Sequence, residues 1–119
     1  MAFVKFTKTG SRIDTPKASI WTRGQIGFNQ GAVLEYKLDS YKYAVLYYDE
    51  ETKKVGFELT NDAKAEGASK LILRKNAGIS MSALPFLKTF KIDFSETRQY
   101  NLSYDKTNNM YVIDLNKPA

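Results

Sequence analysis

"TRGQIGFNQGAV", residues 22–33, decides the reading of this chain. Gly24 opens a turn, Ile26 and Phe28 alternate as on one face of a strand, and Asn29 stands before a short apolar run. Asn29 can accept a hydrogen bond from the backbone N–H groups of a first helical turn, which makes it an N-cap. Residues 76–87, "NAGISMSALPFL", say nearly the same thing. Ile79 and Met81 alternate, and Ser82 stands where it can cap. Pro85 falls in the first helical turn, where a missing N–H does no harm.

The same pattern extends outward from both stretches. "ASIWTR" (18–23) and "KLILRKN" (70–76) read as strands leading into the two turns, and "AFVKF" (2–6) reads as an earlier strand. "TKTGSRIDTPK" (7–17) and "NDAKAEGAS" (61–69) read as a loop and a polar connector. A helix over 30–38 is expected to bury Val33, Leu34 and Leu38, with Gly31 weakening it by up to about 1 kcal/mol relative to Ala. A second helix over 83–91 is expected to bury Leu84, Leu87 and Phe90. Each helix leads into a hairpin. In residues 41–60, Ala44, Leu46 and Tyr48 share one strand face, Val55, Phe57 and Leu59 share the next, and "DEETKK" forms the charged tip. In residues 99–115, Tyr100, Leu102 and Tyr104 answer the first trio, and Tyr111, Ile113 and Leu115 answer the second. All six hairpin pairs are offset by 56, while Ile26/Ile79, Asn29/Ser82 and Leu34/Leu87 are offset by 53.

These elements predict an α+β chain, predominantly β. It is read as one domain over 1–119 with internal repeats at about 18–60 and 70–115. The two β-β-α-β-β units are expected to pack into one barrel-like core. One unit alone buries too little apolar surface to offset its ordering entropy, whereas two can close a shared core as a homodimer does.

Composition narrows the chemistry. The chain has 119 residues and 43% hydrophobic content, with no Cys and no His. Disulfides, thiol catalysis and cysteine zinc sites are excluded, together with the commonest general base and metal ligand. No apolar run approaches the roughly 20 residues of a membrane helix, and no apolar h-region follows Lys5 and Lys8. A cytoplasmic location is the expectation. Net charge is +5 and is unevenly spread. Residues 1–25 hold five basic residues against one acid, and residues 67–92 hold five against none. The intervening 26–66 hold five against eight, and 93–119 hold three against four.

The first unit resembles the AbrB/SpoVT-type swapped-hairpin domains. Gly24, Ile26 and Phe28 match the family's glycine turn and apolar strand, and Ala32, Tyr36 and Leu38 match its apolar helix positions. The chain departs from the pattern where Asn29 stands for the usual Pro and Val33 for a common Arg. Gly78 also lies one place closer to Ile79 than Gly24 does to Ile26. The resemblance covers about 18–59 and, more weakly, 70–115. It implies a DNA-binding barrel built from two units, with contacts near the first strand-turn-strand. The matching positions are Arg23, Arg74 and Lys75.

The charge pattern points the same way. Basic side chains gain affinity for nucleic acid by releasing counterions from phosphate. Lys17 and Arg23 precede the first helix; Lys70, Arg74 and Lys75 precede the second. Trp21, beside Arg23, is a candidate for stacking on a base. The expected function is therefore non-enzymatic DNA binding, single- or double-stranded, through Lys17, Trp21, Arg23, Lys70, Arg74 and Lys75, with no cofactor and no metal. Neither a P-loop nor a nucleophile motif occurs, and Asp49, Glu50 and Glu51 at a hairpin tip read as solvated. The alternative is a protein-interaction or assembly module. Strand 42–48 is apolar on both faces, and its Tyr43, Val45 and Tyr47 face must be covered by a helix or offered to another chain, a route to a homo-oligomer.

Overall fold

A computed structural model of the chain describes residues 15–74 and 78–119, with Arg74 described through its backbone alone. The strand expected at 2–6, most of the loop expected at 7–17, and Lys75 lie outside the described residues. Among the described residues the fold is β-rich α+β, with two antiparallel five-stranded sheets and two short helices.

β1 (Lys17–Ile20) and β2 (Gln25–Phe28) form a hairpin, followed by α1 (Gln30–Tyr36) and a 3-10 turn (Leu38–Ser40). β3 (Tyr43–Asp49) and β4 (Lys54–Thr60) form the hairpin expected over 41–60, with its tip at 50–53. β5 (Ala68–Lys70), β6 (Ile72–Arg74) and β7 (Gly78–Ser82) lead to α2 (Leu84–Thr89), and β8 (Arg98–Asn101), β9 (Ser103–Asp105) and β10 (Met110–Asp114) complete the described order. Sheet I has the order β6-β7-β2-β1-β8, and sheet II the order β5-β3-β4-β10-β9.

The core lies between the sheets. Alternation turns Ala18, Ile20, Ile26, Phe28, Ile79, Met81 and Tyr100 of sheet I inward, toward Ala44, Val55, Phe57 and Ile113 of sheet II. Phe28 and Phe57 meet edge to face across the gap, with ring centroids 5.1 Å apart, a geometry that adds to simple area burial. α1 packs on β7, β1 and β2. α2 holds Phe86 and Phe90 against Tyr48.

The expected single barrel-like core is not what the structure shows: among the described residues the hydrogen-bonded ladders make two sheets that do not close. The chain passes from sheet to sheet at two buried leucines, Leu71 between β5 and β6 and Leu102 between β8 and β9. Each leucine still extends the ladder it leaves by one bond: Leu71 N–H donates to Lys42 O at 2.8 Å, in the register of β3 with β5, and Leu102 N–H donates to Pro16 O at 3.0 Å, in the register of β1 with β8. The single strand expected over 70–76 is accordingly split between two sheets.

The middle of each sheet joins the first half of the chain to the second. In sheet I, Ile26 lies opposite Met81, Gly27 opposite Ser80 and Phe28 opposite Ile79. In sheet II, Val55 lies opposite Ile113, Gly56 opposite Val112 and Phe57 opposite Tyr111. Residues 53 apart in sheet I, and 56 apart in sheet II, are thus disposed symmetrically about Gly27–Ser80 and Gly56–Val112.

Local expectations divide. Asn29 caps α1, its side chain accepting from Ala32 N–H at 2.8 Å. Ser82 does not cap α2. Pairing with Gln25 keeps it in β7, and the cap position passes to Ala83, whose N–H donates to Gly24 O at 2.9 Å. α1 ends at Tyr36, and Leu34, expected in the core, is 52% exposed. The helix faces inward through Gly31, Ala32 and Val33 instead. Leu87 is fully buried and Leu84 partly so. No helix of the described residues is long and apolar enough to cross a membrane.

Candidate nucleic-acid interface

The site grows from the β1–β2 turn. Gly24 N–H donates to Trp21 O, and Trp21 N–H donates to Gln25 O, each at 2.9 Å. Gly24 has φ +81°, a conformation that glycine adopts without Cβ strain. Thr22 and Arg23 thereby occupy the exposed corners of the turn. The turn is held from behind by the start of α2, through the Ala83 bond and through Leu84, which packs against the Gly24 backbone. Arg23 is therefore carried on a braced support.

Strand alternation sets the rest of the surface. Ala18 and Ile20 point into the core, so Lys17 and Ser19 point away from it. Ser19 pairs with Gly27, and Gly27 with Ser80, forming a floor of small residues across three strands. The benzo ring of Trp21 lies over Gly27; a Cβ there would sit only 2.6 Å from Trp21 Cζ2. Glycine at 27 is thus the condition for the ring to rest on the sheet. Trp21, Thr22, Arg23 and Gln25 face Ile72 and Ser80 across an open cleft of about 530 Å³. Trp21 is half-buried, and Ile72 is 53% exposed.

Lys17 is fixed at the far end of β1. Its N–H donates to Asn29 Oδ1 at 3.0 Å, and Asn29 Nδ2 donates to Thr15 O at 2.9 Å. One asparagine both starts α1 and ties β1 to it. Asn101 lies opposite Lys17 and Gln99 opposite Ser19, so the face continues as polar onto β8.

Among the described residues, the ion pairs are those of Arg98 with Asp93 at 3.4 Å and with Glu96 at 3.2 Å. Arg98 is thereby occupied. The Asp93 carboxyl is held below the usual carboxylate range, first by the Ser95 backbone N–H and Ser95 hydroxyl, then by Arg98. Lys17 and Arg23 take part in none of these pairs.

The structure gathers Lys17, Trp21 and Arg23 on the outer side of sheet I. Arg74 follows Ile72 by two residues in β6, opposite Gly78. Lys70 falls elsewhere. It pairs with Tyr43 in sheet II, where inward Ala44 fixes Tyr43 and Lys70 as outward-facing. The bend at Leu71 separates Lys70 from Ile72. Ser19, Gln25, Gly27 and Ser80 were not singled out from the sequence. A glycine between two buried strand residues in "QIGF" is the signal that could have flagged the close approach at Gly27.

The second face of β3 is the outer side of sheet II. Tyr43 and Val45 are half-buried, Tyr47 is 43% exposed, and the Tyr47 hydroxyl donates to Glu58 at 2.9 Å. Each helix packs elsewhere, and the connector at Gly67 approaches Val45 instead. No protein-family model, curated protein or solved structure matches the chain.

Proposed function

We propose that the chain is a non-enzymatic nucleic-acid-binding protein whose interface is the outer side of sheet I. The observation that carries this reading is the placement of Lys17, Trp21 and Arg23 on one small-residue sheet face beside a cleft, with Lys17 and Arg23 in none of the ion pairs found among the described residues. Lys17 and Arg23 contact phosphate, and Ser19, Gly27 and Ser80 leave room for the polymer to approach the backbone. Acidic side chains, including Glu58, Asp49 and Asp105, are carried by sheet II and its hairpin tips. Sheet II and its tips carry Lys53, Lys54, Lys70 and Lys106 as well, so the reading rests on the local placement of Lys17 and Arg23 and not on a segregation of charge between the sheets.

We read the two halves as tandem units, supported by the symmetric registers about Gly27–Ser80 and Gly56–Val112. The first half runs strand, strand, helix, strand, strand, and the second follows the same order once the strands divided at Leu71 and at Leu102 are each counted as one; that order supports the resemblance to the AbrB/SpoVT-type domains.

The test is fluorescence anisotropy with labelled DNA across a salt series. Affinity is expected to fall with salt at a slope of about −0.7 to −0.9 per phosphate contacted. The Lys17→Ala/Arg23→Ala double variant is expected to reduce both the affinity and the slope, while Lys70→Ala on the opposite sheet leaves both unchanged. Absence of salt-dependent binding at low ionic strength overturns the reading. The outward Tyr43, Val45 and Tyr47 then support the second reading, a protein-interaction or homo-oligomer surface on β3.

A further inference from the structure

We infer that the nucleic acid taken by this face is single-stranded, with one unpaired base held against Trp21 in the cleft that Trp21 and Arg23 share with Ile72. This rests on the reading of the outer face of sheet I as a nucleic-acid interface and assigns the polymer class it accepts.

The first argument is shape. The major groove of a duplex is about 12 Å wide and admits a helix or a two-stranded ribbon. The surface here is neither. Strands lie about 4.8 Å apart, so five of them span about 19 Å. β1 and β2 cannot project as a ribbon, because β8 and β7 flank them in the same sheet. Their turn is also held down by Ala83 and Leu84. The helices are no better suited. α1 has 7 residues and turns Gly31, Ala32 and Val33 inward; α2 has 6, with Leu87 in the core. A broad sheet can instead carry a flexible strand laid across it.

The second argument is the chemistry of the cleft. Its walls combine an aromatic ring, an exposed aliphatic side chain at Ile72, and the polar groups of Arg23, Gln25, Thr22 and Ser80. Apolar walls suit the flat face of a base; a guanidinium suits the phosphate joined to it. A base within a duplex offers no free face to such walls, since both of its faces are stacked. An unpaired base does. The floor under the ring is a glycine backbone, so Trp21 keeps a defined seat on the sheet.

Trp21 is the sole tryptophan of the chain, which gives the test its signal. The probes are a labelled oligothymidylate and a duplex of the same length, titrated at fixed salt. Tighter binding of oligothymidylate, with quenching of Trp21 emission, is the expected result. Trp21→Ala is expected to weaken that binding about tenfold or more, because stacking on an aromatic ring is a large part of single-strand affinity. Trp21→Phe retains a ring and is expected to keep most of it, so the result does not hang on a variant that unsettles the sheet. Circular dichroism of both variants checks that the fold is intact.

Equal or tighter duplex binding without quenching overturns this inference while leaving the nucleic-acid reading standing. So does single-strand binding that Trp21→Ala leaves unchanged in a folded protein. Binding of neither probe at low salt overturns both.

Discussion

Replacing Asn29 with Ala removes one side chain that serves three backbone groups at once. Its Oδ1 accepts from Ala32 N–H at 2.8 Å and from Lys17 N–H at 3.0 Å, and its Nδ2 donates to Thr15 O at 2.9 Å. Loss of the helix cap costs about 1 kcal/mol. The Lys17 N–H is partly buried, and leaving it without its acceptor costs about 1–2 kcal/mol more. The Thr15 bond is exposed, so water replaces it at little cost. Asn29→Ala should therefore destabilise the chain by about 2–3 kcal/mol in urea unfolding. Asn29→Ser is the informative companion. A serine hydroxyl can cap Ala32 but is too short to reach Lys17 as well, so it should lose about half as much. If Ala costs less than about 0.5 kcal/mol, or if Ser and Ala cost the same, the double role assigned to Asn29 is wrong.

Other outcomes follow from the same packing. Gly27→Val would drive Trp21 off the sheet, and its emission should shift to the red; an unchanged spectrum would remove the close contact from the account. Leu87→Ala, in the fully buried position on α2, should cost about 3 kcal/mol, whereas Leu34→Ala at the matching but exposed place on α1 should cost under about 1 kcal/mol. The Asp49 carboxyl is held below its ordinary pKa, first by the Thr52 hydroxyl and then by backbone N–H groups; the Asp105 carboxyl is lowered first by the Asn108 side chain and then by backbone N–H groups. Lowered carboxylates stabilise the fold above their unfolded pKa and lose that contribution as pH falls through the folded value. Melting temperature should thus decline on acidification below the usual carboxylate range, less steeply in an Asp49→Asn/Asp105→Asn variant.

What the sequence made legible was chemistry that acts over a few residues. The Asn29 cap, the Gly24 turn and the charged tip after Asp49 need only near neighbours, and each stands where its residues imply. The hairpin of β3 and β4 is of the same kind. Ser82 shows the limit. It has capping chemistry too, but its ladder partner Gln25 lies in the other half of the chain, and that partner keeps it in a strand. Leu34 fails for a related reason. Its spacing suits a buried face, yet α1 packs on sheet I with Gly31, Ala32 and Val33 as its buried residues, which leaves Leu34 on the open side. Spacing alone does not say which side of a two-turn helix finds a neighbour.

The candidate site divides along the same line. Lys17, Trp21 and Arg23 belong to one hairpin, so their shared location was readable from alternation. Lys70 was grouped with Arg74 by proximity in sequence, and Leu71 places the two in different sheets. No local pattern announces a strand that changes sheets midway.

The central pairings carry a consequence for how the chain acquires its structure. Gly27 meets Ser80 and Gly56 meets Val112, contacts separated by 53 and 56 residues. Neither sheet can gain its middle before most of the polypeptide exists, and neither half can finish a sheet alone. Large loops must close before the apolar interior repays them, which makes for slow, high-contact-order folding. During synthesis the first half would wait with one edge of β2 and one of β4 open, each paired on its other side with β1 or β3 but still lacking β7 or β10, the interval when association with another nascent chain is most favoured.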